Sequence, residues 1–448
     1  MQALSREWGF DFYSVDKGIV TESDAEVVVR EIEDKGVDLL LMHNTAFPNG
    51  KAVQALCRLN AYIGLWAVPE PTKEGPLPLN SFCGINMSGS IITEYLKEYD
   101  IPYKWFYGNA NDDFFRERFK VTVKALTAVK NLKRSRIALI GGIADGFDDL
   151  YFDERKLQKK LGIRLYRNHE FSEIKDKALS YDINDVKDIM SQIQADASSV
   201  HPMATSSLEK NARLYKALAD FKDQYGYDGL AISCWPKFRT EMGMVACAAI
   251  GRLNDQGIVA ACEGDVYGLI GMMLLRLLSD SPSLVLDLSD IDESDETILL
   301  WHCGIGGKRM AKDGRIWLSP HSNPSNFPDR GKVMMSPVAE MEFKPGDATV
   351  VRIVDDGQRM AVLSGRFIEN DKKSFDGSRG WLGDLKWNGE PISVKDLVNT
   401  IMVQGMPHHY PLTMGCFADE MLEIAGWLDM KPIDKISYKN YFQRGYRN

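Results

Sequence analysis

The chain lacks any Cys-x-x-Cys pair, and its seven cysteines (Cys57, Cys83, Cys234, Cys247, Cys262, Cys303 and Cys416) are an odd number, most of them set in apolar runs. That pattern argues against a disulfide framework and for reduced, buried small hydrophobes, as expected of a cytoplasmic protein. A dense Lys/Arg stripe is also missing. With 54 basic against 63 acidic residues the net charge is −9, so neither nucleic acid nor an anionic membrane is an expected partner. No apolar run reaches bilayer-spanning length, and the longest, 269–278, is broken by Gly271 and Arg276 and reads as a buried helix. Residues 1–15 lack the charged-then-apolar pattern of a signal peptide. Internal repeats and low-complexity tracts are absent as well. What remains is ordinary globular composition, 44% hydrophobic and 26% charged over 448 residues, enough for roughly two to four domains.

Helical and strand patterns alternate over about the first 300 residues, as parallel α/β layers require. The spacing predicts a capped helix over 23–35, the strands VDLLLMHN and AYIGLWAVP, a helix over 88–97, the strand PYKWFYG and a helix over 113–130. The basic stretch KNLKRSR (130–136) reads as a linker. A second unit then runs from RIALIGG through IRLYRN, a helix over 208–225, DGLAISCW, a helix over 242–254 and IVAACEG. After about residue 280 the periodicity changes. SLVLDLS and ETILLWHCG are joined by a loop too short for a helical crossover, and short strands separated by Gly, Asp and Pro occupy 331–385, the pattern of an antiparallel sheet or small barrel. Helices are predicted again over 394–403 and 413–428, around a loop holding residues 406–411.

Three short segments end on oxygen or nitrogen donors. IVAACEGD delivers Glu263, SLVLDLSD delivers Asp287, and GMPHHYPLTMG delivers His409 behind His408. Each acid is expected at the carboxyl end of a buried strand, the edge where open α/β sheets place ligands. Two carboxylates and an imidazole suit a divalent ion such as Mn2+ better than a thiolate-seeking metal. A metal with open positions can hold two neighbouring sugar oxygens, so the set points to a metal-dependent sugar isomerase acting through an enediolate. In that chemistry Glu263, with the longer reach, is the principal base, Asp287 a ligand and second acid/base, and His409 a neutral ligand. Each residue also has a plainer reading. Glu263 or Asp265 can cap the following helix, Asp287 can be a turn residue, and only one of His408 and His409 need ligate while the other hydrogen-bonds substrate.

These residues resemble those of the L-fucose/L-arabinose isomerase superfamily. In the fucose isomerases a strand-closing Glu and a strand-closing Asp lie about 24 residues apart with an apolar helix between, as Glu263 and Asp287 do here, and a His precedes a Thr-x-Gly helix start, as in HYPLTMG. The resemblance covers nearly the whole chain. It implies an α/β fold with two Rossmann-like α/β domains (1–133, and 134–278 carrying Glu263) followed by a C-terminal antiparallel β-barrel domain with helices (279–448), carrying Asp287 and His409. It further implies Mn2+ or a similar ion, a small-molecule sugar substrate and a homo-oligomer, usually a hexamer. Members usually begin with a further strand and helix before the point where this chain starts.

Further candidates are weaker. His302, 15 residues past Asp287 in LLWHCG, falls near an additional His of the related arabinose isomerases and is a candidate ligand or substrate contact, or a satisfied core histidine. Trp235, before Pro236, is a candidate stacking surface for a sugar, although an aromatic at such a place is more often a packing residue. GGIADG (141–146) lacks dinucleotide-binding spacing and reads as a tight turn; GIGGKR (304–309) lacks the Ser/Thr of a P-loop. A non-enzymatic sugar-binding protein and a metal-assisted aldolase or epimerase are the competing functions.

Overall fold

Three apolar runs of the first unit, β1 (Leu39–Asn44), β2 (Tyr62–Ala67) and β3 (Tyr103–Tyr107), form a parallel three-stranded sheet in that order. Parallel neighbours need crossovers, and the helices between them supply these. The helix Glu22–Ile32 starts at Thr21, whose hydroxyl and the Asp24 carboxylate make a reciprocal capping box, and it buries Ala25, Val28 and Ile32. The helix predicted over 88–97 instead begins at Ser81 and runs to Ser90, continuing as a wider turn to Tyr95. Its start is fixed by a tertiary contact that no local signal reports: buried Ser81 donates to the Asn44 carbonyl and accepts from Val68 N at 3.0 Å.

The computed structural model describes residues 1–202, 207–321 and 336–442, and its contacts divide the chain into two compact units, Met1–Thr127 and Ala128–Asn448. Part of the predicted strand region, 331–335, and the Pro/Asn-rich run 322–330 lie outside the described residues. The stretch 130–136 is not a linker. It completes the helix Asp113–Arg134, whose basic last turn suits the negative helix end, and its Arg136 opens the next strand.

In the second unit β4 (Arg136–Ile140), β5 (Arg164–His169), β7 (Gly229–Ile232) and β8 (Val259–Ala261) form a parallel sheet in the order β5-β4-β7-β8. A six-stranded antiparallel barrel follows, built from β9 (Ser283–Asp292), β10 (Thr297–His302), β13 (Gly346–Val354), β14 (Arg359–Phe367), β15 (Ser378–Trp387) and β17 (His409–Met414). The ring runs β14-β13-β17-β9-β10-β15 and closes where β15 pairs with β14. Closure removes free strand edges. Shorter strands extend it: β12 (Pro337–Glu342), β11 (Trp317–Pro320) and β6 (Ser199–Val200) beyond β15, β16 (Glu390–Pro391) on β15, and β18 (Lys431–Pro432) on β14. The α/β units and the barrel agree with the expected fold class.

The helix Val266–Leu278, apolar on nearly all sides, connects β8 to β9 and is buried from Val266 to Leu275. Gly271 lets it approach the barrel wall, because a Cβ there would lie 2.9 Å from the Pro411 ring of β17. Two expectations fail. Residues 406–411 are not wholly a loop, since His409 opens β17, and the helix predicted from residue 413 starts only at Ala418. HYPLTM is a buried period-2 strand whose Thr413 donates to the Pro282 carbonyl, so barrel closure overrides its helical spacing. Asp287 likewise lies inside β9, not at its end, because β9 continues into the β10 hairpin. Of the cysteines, Cys83 and Cys416 are exposed, contrary to the uniformly buried reading. Among the described residues no helix is long and apolar enough to cross a membrane.

Candidate active site and metal centre

Glu263 sits in the turn between β8 and the buried helix, and its backbone takes a left-handed conformation (φ 60°) that non-glycine residues rarely adopt. Holding such a residue costs of order 1–3 kcal/mol. The surroundings enforce it: Ala144 N donates to the Glu263 carbonyl at 2.9 Å, and Gly264 N to Ile232 O at 3.0 Å. Gly264 (φ 72°) is pressed so closely against the Gly142 carbonyl that a Cβ would come within 2.3 Å of it. The GGIADG run, read from its spacing as a tight turn, is thus the seat for the Glu263–Gly264 turn.

Two residues on, Asp265 is wholly buried and uses both carboxylate oxygens. Oδ1 accepts from Gly268 N at 2.7 Å, capping the helix, while Oδ2 accepts from Arg352 Nη1 at 2.5 Å and from His409 Nδ1 at 3.1 Å. Burial works against its charge, but Arg352 and His409 outweigh that and hold its carboxyl well below the usual carboxylate range. An ionised Asp265 can only accept. His409 Nδ1 therefore carries a proton, and in the neutral ring Nε2 presents a lone pair.

That lone pair is the centre of the site. His409 and Asp287 are directly opposed residues of β17 and β9, so their side chains share one face of the barrel wall. His409 Nε2 lies 3.3 Å from Glu263 Oε2 and 3.9 Å from Asp287 Oδ1. Neither Nε2 nor Asp287 Oδ1, both buried, has a hydrogen-bond partner among the described residues. Three electron-rich atoms facing one another, two without partners, repel unless a cation lies among them. The donor chemistry fits a divalent ion, and the Asp265–His409 hydrogen bond is the support that orients metal-binding imidazoles. Ligand atoms within 4.8 Å of one another also group Cys262, Glu263, His302 and His409, and separately Asp287, His408 and His409.

His408 behaves differently from its neighbour. Its Nδ1 lies 2.7 Å from Asp149 Oδ2, its backbone N donates to the same oxygen at 3.2 Å, and its Nε2 lies 3.1 Å from Glu263 Oε2. Burial opposes charging this ring, but the hydrogen bonds to Glu263 and Asp149 prevail and raise its pKa to about 9. With both nitrogens donating to carboxylates, His408 is a cation beside Glu263 rather than a lone-pair donor. Burial likewise pushes the Glu263 pKa upward, yet the hydrogen bond from His408 helps bring it below its ordinary value.

His302, buried at the end of β10, has its Nδ1 occupied by the Cys303 backbone N–H at 2.9 Å; its Nε2–H then faces Cys262 Sγ at 3.3 Å, with its ring 5.6 Å from that of His409. Trp235 stands on the loop after β7 with the Arg239 guanidinium 5.0 Å over its ring. The structure thus gathers Glu263, Asp287, His408, His409 and His302, while the recorded ring contact of Trp235 is with Arg239. The cap role read for Asp265 holds, but Asp149, Arg352 and the pairing of Asp265 with Arg352 and His409 escaped sequence reading. Arg352 alone left a signal, a lone cation within the apolar run ATVVRIV, which implies a buried partner.

No family model matches the chain. It is 25% identical over 410 residues to the sulfoquinovose isomerase of Alkalicoccus urumqiensis, covering 89% of this chain and 86% of that protein. To the sulfoquinovose isomerase of Priestia megaterium it is 25% identical over 417 residues (89% and 86% covered), and to that of Clostridium sp. (strain MSTE9) 25% over 400 residues (88% and 85% covered). The similarity to these isomerases, over 88–89% of this chain, agrees with the resemblance read from Glu263, Asp287 and His409.

Proposed function

We propose that this protein is a metal-dependent aldose–ketose isomerase whose substrate is sulfoquinovose or a closely similar modified hexose. The observation that carries the reading is the bare, buried Nε2 of His409 facing the Glu263 and Asp287 carboxylates, held in that tautomer by Asp265. Glu263, Asp287 and His409 would hold the ion, with Mn2+ favoured by two hard oxygens and one imidazole. When bound, the ion supplies Lewis-acid polarisation of the sugar's neighbouring oxygens.

Glu263 takes the proton from C2 and returns it to C1, while Asp287 gives a proton to O1 and takes one from O2, so the aldose passes through an enediol-type intermediate to the ketose. Protonated His408, hydrogen-bonded to Glu263 and Asp149, keeps the base ionised and oriented before substrate arrives. In this reading residues 134–278 supply Glu263 and 279–448 supply Asp287 and His409, with 1–133 a separate α/β domain. The same resemblance supports a closed homo-oligomer, a hexamer, and the free thiols support a cytoplasmic location.

The test is product analysis by NMR with a panel of sulfonated, deoxy and unmodified aldoses, before and after chelation and readdition of Mn2+. Ketose formation that disappears with the chelator and returns with the ion supports the proposal. Full turnover without metal, or epimerised or cleaved products, would sink it in favour of another reaction.

A further inference from the structure

A second group of soft donors lies outside the residues assigned above. Cys247 opens the helix Cys247–Asp255, Cys303 follows the last residue of β10, and His321 follows the last residue of β11. The Cys247 and Cys303 sulfurs are 3.3 Å apart, in contact but unbonded, and the ligand atoms of all three residues lie within 4.8 Å of one another. His321 is about nine-tenths buried, and its Nδ1 has no hydrogen-bond partner among the described residues. A buried imidazole nitrogen left unpaired costs roughly 1–3 kcal/mol, so such atoms call for a ligand.

We propose that Cys247, Cys303 and His321 form a second metal site, selective for a soft divalent ion such as Zn2+. Two thiolates and one imidazole are a zinc-type donor set, and the carboxylate-rich Glu263–Asp287–His409 set is its hard counterpart, so the two centres sort ions by softness. On binding, the two thiol protons leave to solvent and each sulfur donates to the ion; no electron is transferred. The ion ties together a helix start and the ends of two strands. One of these, β10, ends in His302, so the second site braces a wall of the first. Three protein ligands leave a fourth tetrahedral position for water or an added ligand.

Cobalt substitution tests this without any measurement of turnover. Chelator-stripped protein, kept under a phosphine reductant, is titrated with Co2+. The expected result is a near-ultraviolet thiolate-to-cobalt charge-transfer band with intense visible bands of a tetrahedral site, saturating at about one thiolate-bound ion per chain. The Cys247→Ser and His321→Gln variants, checked for folding by circular dichroism, should lose the band or its tetrahedral intensity, and Zn2+ affinity by competition should fall more than roughly tenfold. Cys262→Ala should keep the band. A wild-type protein with no thiolate band overturns the proposal. So does a band that survives Cys247→Ser but vanishes in Cys262→Ala, since the ion would then belong beside Glu263. Failure of the isomerase reading would leave every one of these outcomes unchanged.

Discussion

Replacing Asp265 by Asn tests the electrostatic frame of the site in one step. The carboxylate is fully buried and lies 2.5 Å from Arg352, itself 2% exposed, so the change leaves a buried guanidinium without its counter-charge. Breaking a buried pair from one side costs about 3–5 kcal/mol. The helix cap worth about 1 kcal/mol need not be lost, because the amide oxygen can still accept from Gly268 N. The amide nitrogen then faces the Arg352 and His409 donors, and His409 relieves the clash by moving its proton to Nε2. That removes the lone pair from the metal centre, and affinity should fall by about 10–100-fold, the usual cost of losing such a supporting carboxylate. Urea unfolding of metal-free protein measures the first effect and calorimetric Mn2+ titration the second. Adding Arg352→Met should return much of the lost stability, since an apolar replacement of the whole pair is often neutral. A loss below about 1 kcal/mol, together with unchanged ion affinity, would refute the reasoning.

Glu263→Gln keeps the shape and an oxygen donor but removes the proton acceptor, so solvent deuterium incorporation and turnover on a true substrate should fall by roughly 10²–10⁴-fold, and wild-type exchange would remove Glu263 as the base. His409→Ala should chiefly weaken ion binding, with excess Mn2+ restoring part of the rate; a rate that excess Mn2+ does not raise would point to a different role. Gly264→Ala places a Cβ 2.3 Å from the Gly142 carbonyl at φ 72°, and Gly271→Ala one 2.9 Å from Pro411, so each should destabilise by about 1–3 kcal/mol, with Gly264→Ala also displacing Glu263, as thermal melts and ion titration would reveal. In ion-free protein the His408 ring should titrate near the raised value of about 9 by NMR, and Asp149→Asn should lower it. Because the folded pKa is raised, the stabilisation is complete below about pH 6.5 and is lost as pH rises through about 9; a wild-type ring titrating near 6.5 would contradict the network.

The sequence by itself determined the layer pattern and singled out the carboxylates and the histidine pair proposed as donors. Apolar runs of strand length punctuated by helical spacing foretold the parallel sheets, because burial on both faces writes itself into period and composition. Glu263, Asp287 and the His408–His409 pair stood out because carboxylates and histidines are unusual in otherwise apolar segments. Local periodicity could not show where barrel closure wins, and so residues 413–417, helical by spacing, lie in a strand and a loop, while Asp287 sits within a strand. Nor could it choose between His408 and His409, which are adjacent in the chain. Tertiary structure separates them by bringing Asp149 from one side of the chain and Asp265 with Arg352 from another, partners up to 259 residues away. A proton's position on an imidazole depends on what faces each nitrogen, and that is set by the packing of distant segments, not by the residues next to it in sequence.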